Sequence, residues 1–160
     1  MKQIMIRQCK EADFEELMNI DHIVFNSTNT PALICHQTVE EYAKHYSLES
    51  LFVAEIESHI AGYIGYTNPT GLESNRHVME IYIAVHPDHQ NMGVGRELLN
   101  YISSWGKQNG FHKVSLRVLS TNEAAVRFYS SNGFKEQGRL IKEFILNDKL
   151  VDDILMYKIL

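Results

Sequence analysis

The stretch His86-Pro87-Asp88-His89-Gln90-Asn91-Met92-Gly93-Val94-Gly95-Arg96-Glu97-Leu98-Leu99, HPDHQNMGVGRELL, joins an apolar run, VMEIYIAV (78–85), to a segment with helical periodicity. Two glycines at the mouth of a helix let another group approach the backbone, because neither carries a Cβ. A dinucleotide fingerprint needs a third small residue at the sixth position of GxGxxG, and Leu98 stands there. A Walker A loop needs Gly-Lys-Ser/Thr, and Gly95 is followed by Arg96-Glu97. The kinase signatures HRD and DFG are absent. What remains is a short loop whose amides, those of residues 91 to 96, point along a helix axis. The helix dipole and Arg96 both favour a phosphate there. The same glycines also suit a plain strand-to-helix turn, so the neighbouring segments decide between the two.

Outward from this loop the chain reads as a single domain, 1–160, long enough to bury a core. Asp13 begins a helix whose apolar face is Phe14, Leu17, Ile20, Val24 and Phe25, and Asp13 with Glu16 fits a capping pair. A strand over 3–8 precedes it; a loop (26–37) and a short helix (38–46) follow. LFVAEI (51–56) and HIAGYIGYTN (59–68) form a hairpin turning at Glu57-Ser58. After the turn-rich 69–75 come a strand (77–85), a helix (94–109) with Leu98, Leu99, Ile102 and Trp105 on one face, and a strand (112–119). A helix over about 122–132, with Asn122 as N-cap, ends at Gly133, and a second hairpin, RLIKEFIL and LVDDILMYKIL joined at Asn147-Asp148-Lys149, closes the chain. This order, β-α-α-β-β-β-α-β-α-β-β, predicts an α/β (α+β) fold: a mixed, mostly antiparallel sheet of about seven strands with about four helices around a central β-α-β unit.

A net charge of -5 leaves no basic stripe for nucleic acid, and no stretch is apolar enough to span a bilayer. The N-terminus lacks the features of a signal peptide, and two cysteines, Cys9 and Cys35, fit a reduced, cytoplasmic protein. His86 and His89 stand three apart in a proline-containing loop without a cysteine nearby, so no metal is expected. Glu80 interrupts the apolar run VMEIYIAV, where a carboxylate is costly unless paired or useful, and shares a strand face with Tyr82 and Ala84. It reads either as a working carboxylate or as an edge-facing or salt-bridged one. Asn122, Ala125 and Tyr129 fall near one side of their helix. Asp21, Glu40, Glu41, Asp152 and Asp153 could meet a cation, and His22, His36 and His45 could line a cleft; each reads equally as solvated surface.

Gln90-Asn91-Met92-Gly93-Val94-Gly95, read as Gln-x-x-Gly-x-Gly, resembles the acetyl-CoA pyrophosphate loop of the GNAT superfamily of N-acetyltransferases. IYIAVHPDHQ looks like that family's fourth strand entering the loop, and STNEAAVRFYSSNGF resembles its second signature. The element order agrees over essentially the whole chain. MEIYIAVHPDHQ and the last 28 residues look most like bacterial spermidine and small-amine acetyltransferases, with ribosomal-protein N-terminal acetylases close behind. The resemblance implies that acetyl-CoA is the co-substrate. Its pyrophosphate would lie on Gln90, Asn91, Met92, Gly93, Val94, Gly95 and Arg96, and its pantetheine arm along the backbone of Ile83, Ala84 and Val85, with Asn122, Ala125 and Tyr129 nearby. It implies Glu80 as the base, directly or through water, and Tyr129 as the acid for the departing sulfur. The acceptor it implies is a primary amine of a small, polyamine-like molecule, with a protein N-terminus as the alternative. A silent acyl-CoA-binding domain is a third reading, which the presence of both Glu80 and Tyr129 disfavours. The last hairpin is where such proteins pair as homodimers.

Overall fold

The first hairpin shows how directly local chemistry shapes this chain. Strands β2 (Leu51–Ile56) and β3 (His59–Thr67) meet at Glu57 and Ser58, whose φ values of 51° and 67° are those of a type I′ turn. The computed structural model describes residues 3–32 and 36–160. Within them the expected order of elements is present: β1 (Met5–Gln8), α1 (Phe14–Val24), α2 (Val39–His45), β2, β3, β4 (Val78–Val85), α3 (Val94–Gln108), β5 (Lys113–Leu119), α4 (Glu123–Ser131), β6 (Lys135–Leu146) and β7 (Lys149–Ile159). The seven strands form one mixed sheet in the order β1-β2-β3-β4-β5-β7-β6. The pairs β1–β2, β2–β3, β5–β7 and β6–β7 are antiparallel and β4–β5 is parallel.

The chain packs as two compact units of interleaved segments, and two of the limits between them fall inside elements: in β4, after Glu80, and in α3, after Trp105. In the first unit, β2 and β3 are buried almost throughout. Helix α1 packs on α2 and β3 through Phe14, Leu17 and Ile20, all buried. Val94, Leu98, Leu99 and Ile102 of α3 are buried too, and Trp105 rests on Phe52 and Tyr66 at ring-centroid distances of 5.2 and 5.4 Å. In the second unit the core is built from Val78 and Met79, from Val114, Leu116 and Val118, and from Phe134, Ile154 and Met156. Strand β4 enters it through the pairs Val78↔Lys113, Met79↔Val114 and Glu80↔Ser115.

Three expectations are corrected. Asp13 does not cap α1: its carboxylate accepts from the Lys10 amide and from both Arg7 terminal nitrogens, at 2.7 and 2.9 Å, closing a short 3-10 turn at Glu11–Asp13. Glu16, its supposed partner, instead accepts from the Ile60 amide at 3.0 Å. Strand β6 begins at Lys135, ahead of the expected Arg139, because pairing with Tyr157 and Met156 of β7 extends it across Gly138. Two register shifts then bend β6, between Glu136 and Gly138 and between Leu140 and Phe144, with Lys142 in the left-handed region at φ 53°. Cys35 lies outside the described residues; Cys9 is a buried free thiol, pushed up to about 12 by burial. No described helix is long and apolar enough to cross a membrane.

Candidate active site

The glycine loop sits in the first unit. Its approach is tied down where the His86 amide donates to Ala61 O at 2.8 Å and Gln90 Nε2 reaches Val85 O at 3.4 Å. Asn91 and Gly93 then take left-handed conformations, φ 60° and 87°. A Cβ at Gly93 would meet nothing within 4 Å, so the backbone angle alone demands glycine, and the loop faces open space. The first hydrogen bond of α3 runs from Glu97 N to Gly93 O, 3.0 Å, which leaves the amides of Val94, Gly95 and Arg96 without helical acceptors. Gln90, Asn91, Met92, Gly93 and Arg96 are exposed, whereas Val94 is buried and anchors the helix. Ala84 is buried as well, so its backbone and those of Ile83 and Val85 are what β4 can offer a ligand. Exposed amides at a helix N-terminus with an arginine beside them suit a phosphate.

Glu80 and Tyr129 lie in the second unit. Glu80 is half-buried in β4, and its side chain makes no hydrogen bond or ion pair among the described residues. The salt-bridged reading is therefore excluded within them, and a carboxylate in an apolar strand is left available for proton transfer. Asn122 caps α4, accepting from the Ala125 amide at 3.3 Å. One turn after Ala125, Tyr129 packs against Phe128 and, edge-on at 5.8 Å, against Phe134. Burial alone pushes its hydroxyl up to about 12, so it keeps its proton at any ordinary pH.

Elsewhere in the first unit the expected polar residues separate into two groups. Glu40 is exposed, and Glu41 accepts from the Gln37 amide at 2.8 Å in the capping of α2. Asp21, His22, His36 and His45 come together: His22 Nε2 meets His36 O at 3.1 Å, and the His36 and His45 rings lie 4.5 Å apart. Asp21 is buried and accepts from the Tyr63 hydroxyl at Oδ1, with the hydroxyls of Tyr42 and Tyr46 also facing it. The rings of Tyr46 and Tyr82 are 5.6 Å apart, and those of Tyr63 and Tyr82 6.3 Å. Of these tyrosines the sequence reading took up Tyr82 alone, on the strand face of Glu80; Tyr42 lies on α2 and Tyr46 just past its end, in extended conformation. Asp152 and Asp153, in the second unit, are committed: Asp153 to Arg117 (2.6 Å) and Asp152 to the Lys142 amide (2.8 Å). Among the described residues no three His, Cys, Asp or Glu side chains gather into a metal-binding group.

Comparison with known proteins bears on what these residues serve. The pattern of the Acetyltransferase (GNAT) family matches residues 8–134. The spermidine N(1)-acetyltransferase of Vibrio cholerae is 27% identical over 97% of this chain and 92% of its own length. The L-amino acid N-acyltransferase of Escherichia coli is 31% identical over 52% of this chain, a match that takes in only 49% of that protein. The crystal structure of a ribosomal-protein-alanine N-acetyltransferase from Brucella melitensis superposes with a TM-score of 0.84 at 27% identity, covering 98% of this chain and 99% of that one. Matched from residue 8 to residue 134 by the family pattern, and folded over nearly its whole length like a solved acetyltransferase, the chain belongs to the acetyltransferase (GNAT) family.

Proposed function

We propose that this protein is an acetyl-CoA-dependent N-acetyltransferase whose acceptor is a primary amine of a small, polyamine-like molecule. The observation that carries the donor half is the loop over Gln90–Arg96, with its left-handed Asn91 and Gly93 and the three unbonded amides that open α3. Those amides and Arg96 would hold the pyrophosphate, and the backbone of Ile83, Ala84 and Val85 would take the pantetheine arm as an added strand does, one N–H polarising the thioester carbonyl. Acetyl-CoA supplies the acetyl thioester; the chain's own residues manage two protons. An aliphatic amine, with a pKa of about 10.4, arrives as an ammonium and must lose a proton before it can attack. Glu80, half-buried and unpaired, takes that proton directly or through water. As the C–N bond forms and the C–S bond breaks, Tyr129 gives its proton to the departing sulfur, and the excess proton on the new amide nitrogen passes through water to restore the tyrosine; its raised hydroxyl keeps its proton in place until the sulfur leaves. Asn122 and Ala125 open the helix that carries Tyr129.

The likeness to a spermidine acetyltransferase over 97% of the chain supports the small-amine acceptor. We place the protein in the cytoplasm, in keeping with the free thiol of Cys9, and as a homodimer through the last hairpin, where Ile141, Ile145 and Leu150 are exposed. The test is thiol release from acetyl-CoA against linear diamines and polyamines, amino acids, aminoglycosides and N-terminal peptides. Turnover is expected with the linear amines, and Tyr129→Phe is expected to lower it about 100-fold without weakening acetyl-CoA binding. Activity on peptides alone would overturn the small-amine reading, and unchanged turnover in the Tyr129 variant would remove it as the acid.

A further inference from the structure

Three aspartates are buried among the described residues, and two of them are matched by an arginine: Asp13 by Arg7 and Asp153 by Arg117. Asp21, 7% exposed, has no arginine or lysine beside it among the described residues: the Tyr63 hydroxyl donates to Oδ1, the Tyr42 and Tyr46 hydroxyls face the carboxylate, and His22 is the titratable group next to it. Beside it the Tyr42 hydroxyl is wholly buried and has no hydrogen-bond partner, although it faces the carboxylate. The Tyr42 ring in turn touches His36, whose Nε2 is a second buried atom without a partner, and Tyr46, at centroid distances of 5.3 and 4.5 Å. Tyr46 continues to Tyr82, and both are only partly buried, so the cluster runs from the interior of the first unit toward its surface. Buried polar groups left unsatisfied cost about 1–3 kcal/mol each, and a fold that needed only packing would use phenylalanine at 42 and an apolar residue at 21.

Three donors on one positive nitrogen would satisfy such a set: carboxylate and phenol oxygens accept, and the tyrosine faces attract a cation. We propose that Asp21, Tyr42, Tyr46 and Tyr82 bind a positively charged nitrogen of the acceptor other than the one acetylated, so that the enzyme selects diamines and polyamines over monoamines. This rests on the amine-acetylating reading above. Burial pushes the His36 imidazole down, so it remains a neutral acceptor at the edge of the cluster.

The test compares 1,4-diaminobutane with n-butylamine, by calorimetric binding to the full chain and, separately, by thiol release from acetyl-CoA. The wild-type protein is expected to bind the diamine at least about tenfold more tightly, roughly 1.4 kcal/mol. Asp21→Asn and Tyr42→Phe are each expected to weaken binding of the diamine more than that of n-butylamine and so to erase that preference. Tyr42→Phe guards against a folding artefact: it deletes one unpartnered hydroxyl, and a merely structural Tyr42 would give a more stable protein with the preference intact. Equal binding of the two amines by the wild-type protein, or a preference that survives both substitutions, overturns the proposal. A preference that depends on Asp21 without thiol release from any amine overturns the acetylation reading and leaves the cation site standing. Thiol release without a preference overturns the cation site alone.

Discussion

Two aspartates of the first unit carry opposite consequences for stability. Arg7 holds the Asp13 carboxyl below its usual range, so the contribution of Asp13 to folding is present above the unfolded carboxylate pKa, about 3.9, and is lost as pH falls through the lower folded value. Burial holds Asp21 above its usual range against the hydroxyls around it. Its contribution is complete below about pH 3.9 and is lost as pH rises through the raised folded value. At pH 7, therefore, Asp13→Asn is expected to lower Tm and Asp21→Asn to raise it, both gaps closing toward pH 3, with each kcal/mol appearing as roughly 2–4 °C. Thermal melts of the two variants from pH 3 to 8 check this; an Asp21→Asn protein less stable than wild type at pH 7 would contradict it. A residue that the fold would be more stable without is a sign that it is kept for another purpose. Neither role was legible in the sequence, because Asp13 answers to Arg7 on β1 and Asp21 to tyrosines on α2 and β3. Glu80 and Tyr129 stand out in the sequence as candidates, since each sits in a short pattern of its own, a carboxylate in an apolar run and an aromatic pair before Gly-Phe.

At the scale of elements, turns and caps were readable because their chemistry is local. Glu57-Ser58 as a turn and Asn122 as the cap of α4 fall where residue type alone places them, whereas Thr38, read as part of its helix, caps it, and Asp13, read as a cap, turns to Arg7. The opening of β6 was not, because only β7 makes Lys135–Gly138 a strand. Tertiary packing also explains a glycine that no turn requires. A Cβ on Gly62 of β3 would stand 2.7 Å from Ala84 O and 3.1 Å from Val85 Cα, backbone atoms that cannot swing aside. Gly62→Ala is expected to push on the end of β4 at a cost of about 1–3 kcal/mol and to weaken acetyl-CoA binding by about tenfold or more. Equilibrium denaturation and titration with acetyl-CoA measure the two effects, and unchanged affinity would remove the end of β4 from the donor site.

For the whole molecule, the order and types of the elements followed from periodicity, while the division into two units did not. Two of its limits run through β4 and α3, where no proline, glycine-rich linker or change of composition marks them. Burial on either side of such a limit depends on which strands are neighbours, and that is set by pairing rather than by any local pattern. A ligand that binds only the folded chain stabilises it by mass action, by about 2.7 kcal/mol at a hundred times its Kd. Acetyl-CoA at that level is expected to raise Tm by roughly 5–11 °C. Scanning calorimetry with and without the co-substrate checks this, and no shift at millimolar acetyl-CoA would sink the donor assignment.

The bent β6 has a consequence for how copies of this protein meet in a crowded cell. A straight outer strand of 12 residues is a template on which further chains can stack without limit. The shifts at Glu136/Gly138 and Leu140/Phe144, with Lys142 turned into the left-handed region between Leu140 and Phe144, interrupt the row of free amides and carbonyls that such stacking needs. Ile141, Ile145 and Leu150 can still be covered face to face by a second copy. Association through the same patch on both copies closes at a pair, whereas head-to-tail association from one sheet edge to another continues into a filament. The irregular strand leaves the first route open and obstructs the second.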